Sequence, residues 1–557
     1  MHKAQLLDPD LRALFNGSRH HYYDDYVELL MRLRAAEQAE EFAATAFYAS
    51  ERTHARTLLG LLSERALGLL DSSETSLAAR ARELEQQIAA RTDNEAQPPG
   101  GELALLMAEY NEVRAQIRQR NPHYAALIQS EPLTLAEVQR QVLNADTLLL
   151  EYYLGVKHSY LFVVSPTALH SFVLPPRAEL EQAAHELRAL LDAFSHPPAF
   201  HSIPVKQRWQ QEQTRAQQDA ATRLGHLLLA PAQALLRGQR LLIVPDGALH
   251  VVPFAALPVA ARPLPVVSDH AKRNKSRTTN NRQLTTDNQQ PLLARHEIIT
   301  LPSASTLAVL RREALHRQPA PKTLAVFADP VFDQQDERVR TVVERQNAPQ
   351  LTLPRYDESA ITRQGLVRLP ATRNEAQAIA ALVPPAERRL ALGFDASRAA
   401  ALGAALHPYR YVHFATHGLL NNAQPELSGL VLSQVDAAGH TQNGLLRTLD
   451  IFNLKLNADL VVLSGCQTAL GREVNGEGLI GMTRGFLYAG ARRVIASLWQ
   501  VNDAATAELM RRFYQGLWGE QKLAPAAALR AAQLQLRCNQ RWQSPYYWAA
   551  FTLQGEW

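Results

Sequence analysis

The sequence predicts an α/β fold, with a parallel-rich sheet sandwiched by helices and an α-helical region in front of it. Three observations carry that reading. Short apolar runs recur through the later part of the chain with helical patterns between them, which is the mark of a parallel sheet covered on both faces. The first 135 or so residues instead carry apolar positions at helical spacing. Two of the apolar runs end in side chains that do chemistry, His417 and Cys466.

Taken in order, Tyr23–Phe47 has apolar residues at Tyr26, Leu29, Leu30, Leu33, Ala44 and Phe47, a helical stripe. A small–large alternation continues through Ala46–Leu59. Thr75–Ala90 and Leu103–Gln119 read as an antiparallel helical pair that turns through the Pro- and Gly-bearing stretch Asp93–Gly101. Leu148–Leu154, Tyr160–Val164 and Ser171–Leu174 are short strands, expected to form a meander at one side of the sheet. Glu179–Phe194 and Gln207–Leu236 are helical, separated by Pro197–Pro204. Leu241–Val244 is a buried strand that runs into a Pro-Asp-Gly turn. Thr323–Ala328, Tyr411–Thr416, Leu460–Leu463 and Arg493–Leu498 complete the strands. Ser305–Leu315, Thr372–Leu382, Ser397–Leu406 and Gly478–Tyr488 are the intervening helices. Two stretches break the pattern. Residues 263–290 are polar and rich in Lys, Arg, Thr and Asn, too poor in apolar surface to repay ordering, and read as a disordered surface loop. Asp333–Gln364 reads as loop-rich.

Composition narrows the class. Hydrophobic residues at 46% and charged residues at 20% are an ordinary globular balance. No apolar run reaches the roughly 18 residues of a membrane span, and Met1–Phe15 lacks a signal-peptide core, so no membrane partner is expected. Two cysteines make no disulfide framework, which points to a reducing cytoplasm. The net charge of +4 comes largely from scattered arginines, with no aromatic-interleaved basic stripe, so direct nucleic-acid binding is not expected. Gly476-Glu477-Gly478 does not follow a strand at the spacing of a phosphate loop, and no cofactor or metal is expected.

The chemistry gathers between Tyr411 and Asp503. His417-Gly418 and Ser464-Gly465-Cys466 each sit just past a hydrophobic strand, at the carboxyl ends where open sheets hold their ligands. The histidine precedes the cysteine by roughly 50 residues, the spacing of a caspase-type pair. A thiolate is a nucleophile, and a neighbouring imidazole lowers the thiol pKa and returns a proton to the leaving amine. Gly418 and Gly465 permit close approach of a substrate backbone. The N–H groups of Gly418 and Cys466 are placed to meet a developing oxyanion. His413, inside the strand, reads as structural, and Cys538, in a helical pattern, as an inert thiol. Glu477 either caps the following helix or orients a catalytic group.

Those segments, together with Leu241–Leu257, Leu301–Leu307, Val326–Asp333 and Leu369–Leu382, resemble the CHAT family, caspase-like peptidases often found behind tetratricopeptide repeats. The resemblance covers most of residues 140–557 and implies a caspase-like fold there, with the family's dyad on His417 and Cys466. It makes 1–135 a short, degenerate tetratricopeptide-like region of one or two units, too few for a large superhelical groove. It makes 263–290 an insertion. The stretch Ser497–Asp503 is similar to that of separase, an arginine-preferring relative, which implies a substrate pocket of Asp503 with Trp499 and Gln500. The alternative is that Asp503 caps the helix Ala504–Tyr514. A basic preference would make Lys272, Arg273, Lys275 and Arg277 self-cleavage sites; otherwise the insertion is a passive loop. The implied partners are a protein substrate and a regulatory protein on the N-terminal helices. Prokaryotic relatives act in defence and cell death, which sets the expected role. The competing reading is a non-catalytic interaction scaffold with a vestigial dyad.

Overall fold

An eleven-stranded sheet organises the protein. The computed structural model describes residues 20–54, 132–195, 197–259, 290–315, 317–339, 366–419, 428–465, 471–474 and 478–557, with residues 58, 80, 84, 109 and 112. The insertion, the paired helices of 75–119 apart from those single residues, and most of 333–364 lie outside the described residues.

The strands are β1 Thr147–Tyr153, β2 Ser159–Val164, β3 Leu169–Leu174, β4 Arg240–Val244, β5 Ile298–Thr300, β6 Lys322–Ala328, β7 Arg388–Leu392, β8 Tyr409–Ala415, β9 Leu460–Leu463, β10 Arg493–Ser497 and β11 Phe551–Gly555. Their order is β3-β2-β1-β4-β5-β11-β10-β9-β8-β6-β7. The meander β1–β3 is antiparallel at one side, as expected. Strands β10, β9, β8, β6 and β7 are mutually parallel. Their apolar character follows from burial on both faces. Within β8, His413 meets the helices Pro370–Ala380 and Asp503–Trp518 through Glu375 and Tyr514, while the next residue, Phe414, packs on Phe486 of the opposite layer.

Three strands escape an apolar-run reading. β5 is three residues long, β7 begins with two arginines, and β11 alternates buried and half-buried positions. The helix expected from Gly478 begins only at Met482. Residues Gly478–Gly481 instead form a strand paired with Gly471–Val474, because glycine at 478 and 481 weakens a helix by about 1 kcal/mol each. Ser397–Leu406 yields a single turn, Arg398–Ala401, and Gly403 at φ +65 lies just beyond it.

Two N-terminal helices, α1 His20–Glu37 and α2 Glu40–Thr53, share this core. Val27 and Phe47 are fully buried, and Phe47 stands edge-on to Phe162 of β2. Carboxylates anchor the helices. Tyr153 donates to Asp24 (2.8 Å) and Tyr160 to Glu28 (2.7 Å). Glu51 accepts the Ala304 and Ser305 N–H groups at the start of the helix Ala304–Ala314 (2.8 and 3.0 Å).

Burial and the neighbouring Glu151 push the Glu51 carboxyl up to about 8. Burial opposes a charge on His54, but the Glu151 carboxylate 3.4 Å away outweighs it and lifts the imidazole to about 9. Both raised groups hold protons more tightly when folded, so both stabilise at low pH and lose that effect as pH rises. Glu51 loses it from 4.5 to about 8, and His54 from 6.5 to about 9. The melting temperature is therefore expected to fall from pH 6.5 to 8, and Glu51→Gln to flatten that slope in differential scanning fluorimetry. An unchanged slope in the variant would refute the assignment.

Candidate active site

Strands β8 and β9 run side by side and parallel, with Tyr411 opposite Leu460 and Phe414 opposite Leu463. They end at the same sheet edge. β8 leads through Thr416 to His417, and β9 leads to Ser464-Gly465. Cys466 lies outside the described residues, as do Gln467, Thr468, Gly476 and Glu477. The two residues that deliver it are firmly held. The Ser464 N–H donates to the Phe414 carbonyl (2.8 Å), its hydroxyl donates to Glu375 Oε1 (2.7 Å), and the Ser497 hydroxyl donates to the Gly465 carbonyl.

His417 is partly buried, with its ring 5.1 Å from that of Phe332. Its Nε2 lies 2.7 Å from the Val367 carbonyl. A carbonyl only accepts, so Nε2 carries the proton and the lone pair of the neutral ring sits on Nδ1. Burial pushes the imidazole below its ordinary pKa, and the Val367 carbonyl partly opposes that shift. Gly418 faces Leu430 in a small three-stranded sheet whose ladder bond runs from the Val431 N–H to the His417 carbonyl (2.9 Å). Gly418 thus takes the non-hydrogen-bonded position, and its own N–H points away from that ladder. Val367 carries no sequence signal, because any residue supplies a carbonyl.

His413 is buried and engaged on both ring nitrogens, with Glu375 Oε1 at 2.8 Å and the Tyr514 hydroxyl at 3.1 Å. Glu375 thereby ties the histidine strand to Ser464 on the cysteine strand.

Asp503 is the first residue of the helix Asp503–Trp518, and the cap is its neighbour: Asn502 Oδ1 accepts the Ala505 N–H (3.1 Å). Asp503 is half-buried and accepts the Ala371 N–H (3.2 Å). Burial raises its pKa, the Ala371 N–H opposes, and the negative charges of Glu375 and Asp329 add to the rise. Segment 367–371 thus touches His417 at one end and Asp503 at the other. Trp499 corrects the expected pocket. Its ring is fully buried, its Nε1–H donates to the Tyr546 carbonyl (3.0 Å), and Arg188 lies over one face (5.8 Å), so it is a core residue with no surface to line a cleft. Gln500 is exposed, and its carbonyl accepts the Ser195 hydroxyl (3.0 Å). Lys272, Arg273, Lys275 and Arg277 lie outside the described residues. Cys538 is exposed at the end of the helix Pro525–Arg537.

An imidazole oriented at the carboxyl edge of a parallel sheet, beside a strand that runs into Ser-Gly-Cys, belongs to the α/β domains built for chemistry at strand ends. The chain belongs to the CHAT domain family, whose profile matches residues 218–556. Tetratricopeptide repeat protein 28 of Mus musculus is 40% identical over 111 residues, 20% of this chain and 4% of that protein. The Homo sapiens protein of the same name is 37% identical over 114 residues, again 20% and 4%. The chain thus spans a small part of those relatives. Two crystal structures of the Saccharomyces cerevisiae separase–securin complex are also similar. One has TM-score 0.48 at 10% identity, over 90% of this chain and 36% of that one. The other has TM-score 0.47 at 9% identity, over 93% and 37%. Among the described residues, no helix is long and apolar enough to cross a membrane.

Proposed function

We propose that the protein is a cysteine endopeptidase whose nucleophile is Cys466 and whose acid/base is His417. The observation that carries this is the held imidazole: its Nε2–H is committed to the Val367 carbonyl, which leaves the ring lone pair on Nδ1, and His417 follows β8, the parallel neighbour of β9, after which Cys466 comes in sequence. The Cys466 sulfur attacks the peptide carbonyl carbon, a C–S bond forms, and the oxyanion meets the Gly418 and Cys466 amides. His417 Nδ1, having taken the Cys466 S–H proton, passes it to the leaving amine as the C–N bond breaks. Water, deprotonated by the same ring, then cleaves the thioester.

Asp503 supports a preference for Arg or Lys before the cut. It is a half-buried carboxylate beside two others, and among the described residues it has no cationic side chain paired to it. A substrate guanidinium or ammonium would relieve that repulsion. The same preference makes the insertion at Lys272, Arg273, Lys275 and Arg277 a self-processing site. A regulatory protein on the N-terminal helices and a cytoplasmic role in cell defence complete this reading.

Purified protein and its Cys466→Ala variant, incubated with a mixed peptide library, test it by mass spectrometry. Cuts after Arg or Lys that vanish in the variant are expected, and Asp503→Asn should weaken them roughly 10- to 100-fold. Cysteine-dependent cuts after other residues would sink the Asp503 pocket alone. A library left whole would favour the scaffold.

A further inference from the structure

Asp329 is an unusual place for a charge. It follows β6, whose last residue Ala328 pairs with Ala415 of β8, so it leaves the sheet beside Thr416-His417. Its backbone is left-handed (φ 48), a conformation Asp tolerates better than most residues, and its side chain is fully buried. Burying a carboxylate is costly unless it is paired. Three guanidinium groups meet it. Arg368 forks onto it, Nε to Oδ1 at 2.9 Å and Nη2 to Oδ2 at 3.0 Å. Arg373 Nε reaches Oδ2 at 2.7 Å, and Arg338 Nη1 lies 3.1 Å from Oδ2 while donating to the Asp329 carbonyl at 2.8 Å. The Asp329 N–H donates to Thr372 Oγ1 (3.1 Å), and that hydroxyl donates to the Leu369 carbonyl (2.6 Å). Asp336 balances Arg338 (2.6 Å) and Glu337 balances Arg368 (2.8 Å).

Two members of this network, Arg368 and the Leu369 carbonyl, belong to residues 366–369, which form neither helix nor strand. Val367 cannot hold itself in place, since its side chain is 72% exposed. Yet its carbonyl must sit 2.7 Å from His417 Nε2 to select the tautomer. The anchor is the next residue, locked by a two-point fork onto a buried charge.

We propose that Asp329 and Arg368 are positioning residues for His417, acting through the Val367 carbonyl. This rests on His417 and Cys466 forming the catalytic dyad. A two-point fork fixes direction as well as distance, which a lysine in place of Arg368 cannot do. Without the fork the carbonyl drifts, the ring samples both tautomers, and the imidazole pairs less well with the thiolate.

The test uses the full chain carrying Cys538→Ser, so that Cys466 is the single thiol. Iodoacetamide alkylation is followed against pH, beside kcat and KM on a peptide that the protein cuts. Asp329→Asn keeps volume and tolerance of the left-handed backbone. Arg368→Lys changes a side chain only partly buried and guards against a misfolded first variant. Both should lower kcat roughly 10- to 100-fold with little change in KM. Both should also move the alkylation midpoint of Cys466 up by about one pH unit, towards a free thiol. Folded variants with the parent's midpoint and kcat would overturn the inference and leave the dyad standing. A parent that itself alkylates as an ordinary thiol and cuts nothing would remove the dyad, and this role with it.

Discussion

His417→Ala is expected to lower kcat/KM by on the order of 1,000-fold or more while leaving the fold intact. The ring is partly buried and lies beside Phe332, so its loss removes some contact but no buried ion pair. Two chemical duties disappear with it. Without a neighbouring imidazole to take its proton, the Cys466 thiol is a weaker nucleophile. No acid remains to protonate the amine as the C–N bond breaks. Single-turnover cleavage measures the loss. Activity within tenfold of the parent would mean that another group serves as the acid/base. Cys466→Ala should abolish cleavage outright, because the sequence's other thiol, Cys538, sits exposed at the end of a helix outside the proposed dyad.

Glu375→Ala should be the most destabilising single change near the site, by about 3–5 kcal/mol. The carboxylate is buried and accepts from two strands at once, from Ser464 at 2.7 Å and from His413 Nε2 at 2.8 Å. Removing it strands a buried imidazole and a buried hydroxyl, each costing about 1–3 kcal/mol when left without a partner. Glu375→Gln keeps an acceptor oxygen and should cost far less. Urea denaturation followed by fluorescence gives the midpoints. Combining Glu375→Ala with His413→Ala should cost less than the two singly, because they share one contact. Strict additivity would show that the pair does not couple.

How much was legible follows from what each feature needs. Strands β8 and β9 are double-sided and buried, so their apolar runs announce them, and His417 and Cys466 are proposed from their places in sequence just past such runs. The resemblance to the CHAT family implies the same two positions. Position in the chain does not reveal packing depth, which is why Trp499, two residues past β10, read as pocket lining and is core. Asp503 read as a cap or a pocket floor, and the cap turned out to be Asn502, one residue away, where helix-start patterns carry least resolution. The Val367 carbonyl was invisible because its contribution is backbone. Asp329 carries no signal of its role, since nothing in its neighbours in sequence tells that Arg338, Arg368 and Arg373 will converge on it.

Strand β11 sits between β5 and β10, antiparallel to one and parallel to the other, in the middle of the sheet. It is translated after every other strand. As the chain leaves the ribosome, β3-β2-β1-β4-β5 and β10-β9-β8-β6-β7 can each gather as a separate half, but neither has a neighbour on its inner edge until residues 551–555 arrive. The half that bears His417 therefore gains its inner-edge neighbour only once residues 551–555 are made. Loss of β11 would leave β5 and β10 as two open edges in the middle of the sheet, each ready to pair with another chain.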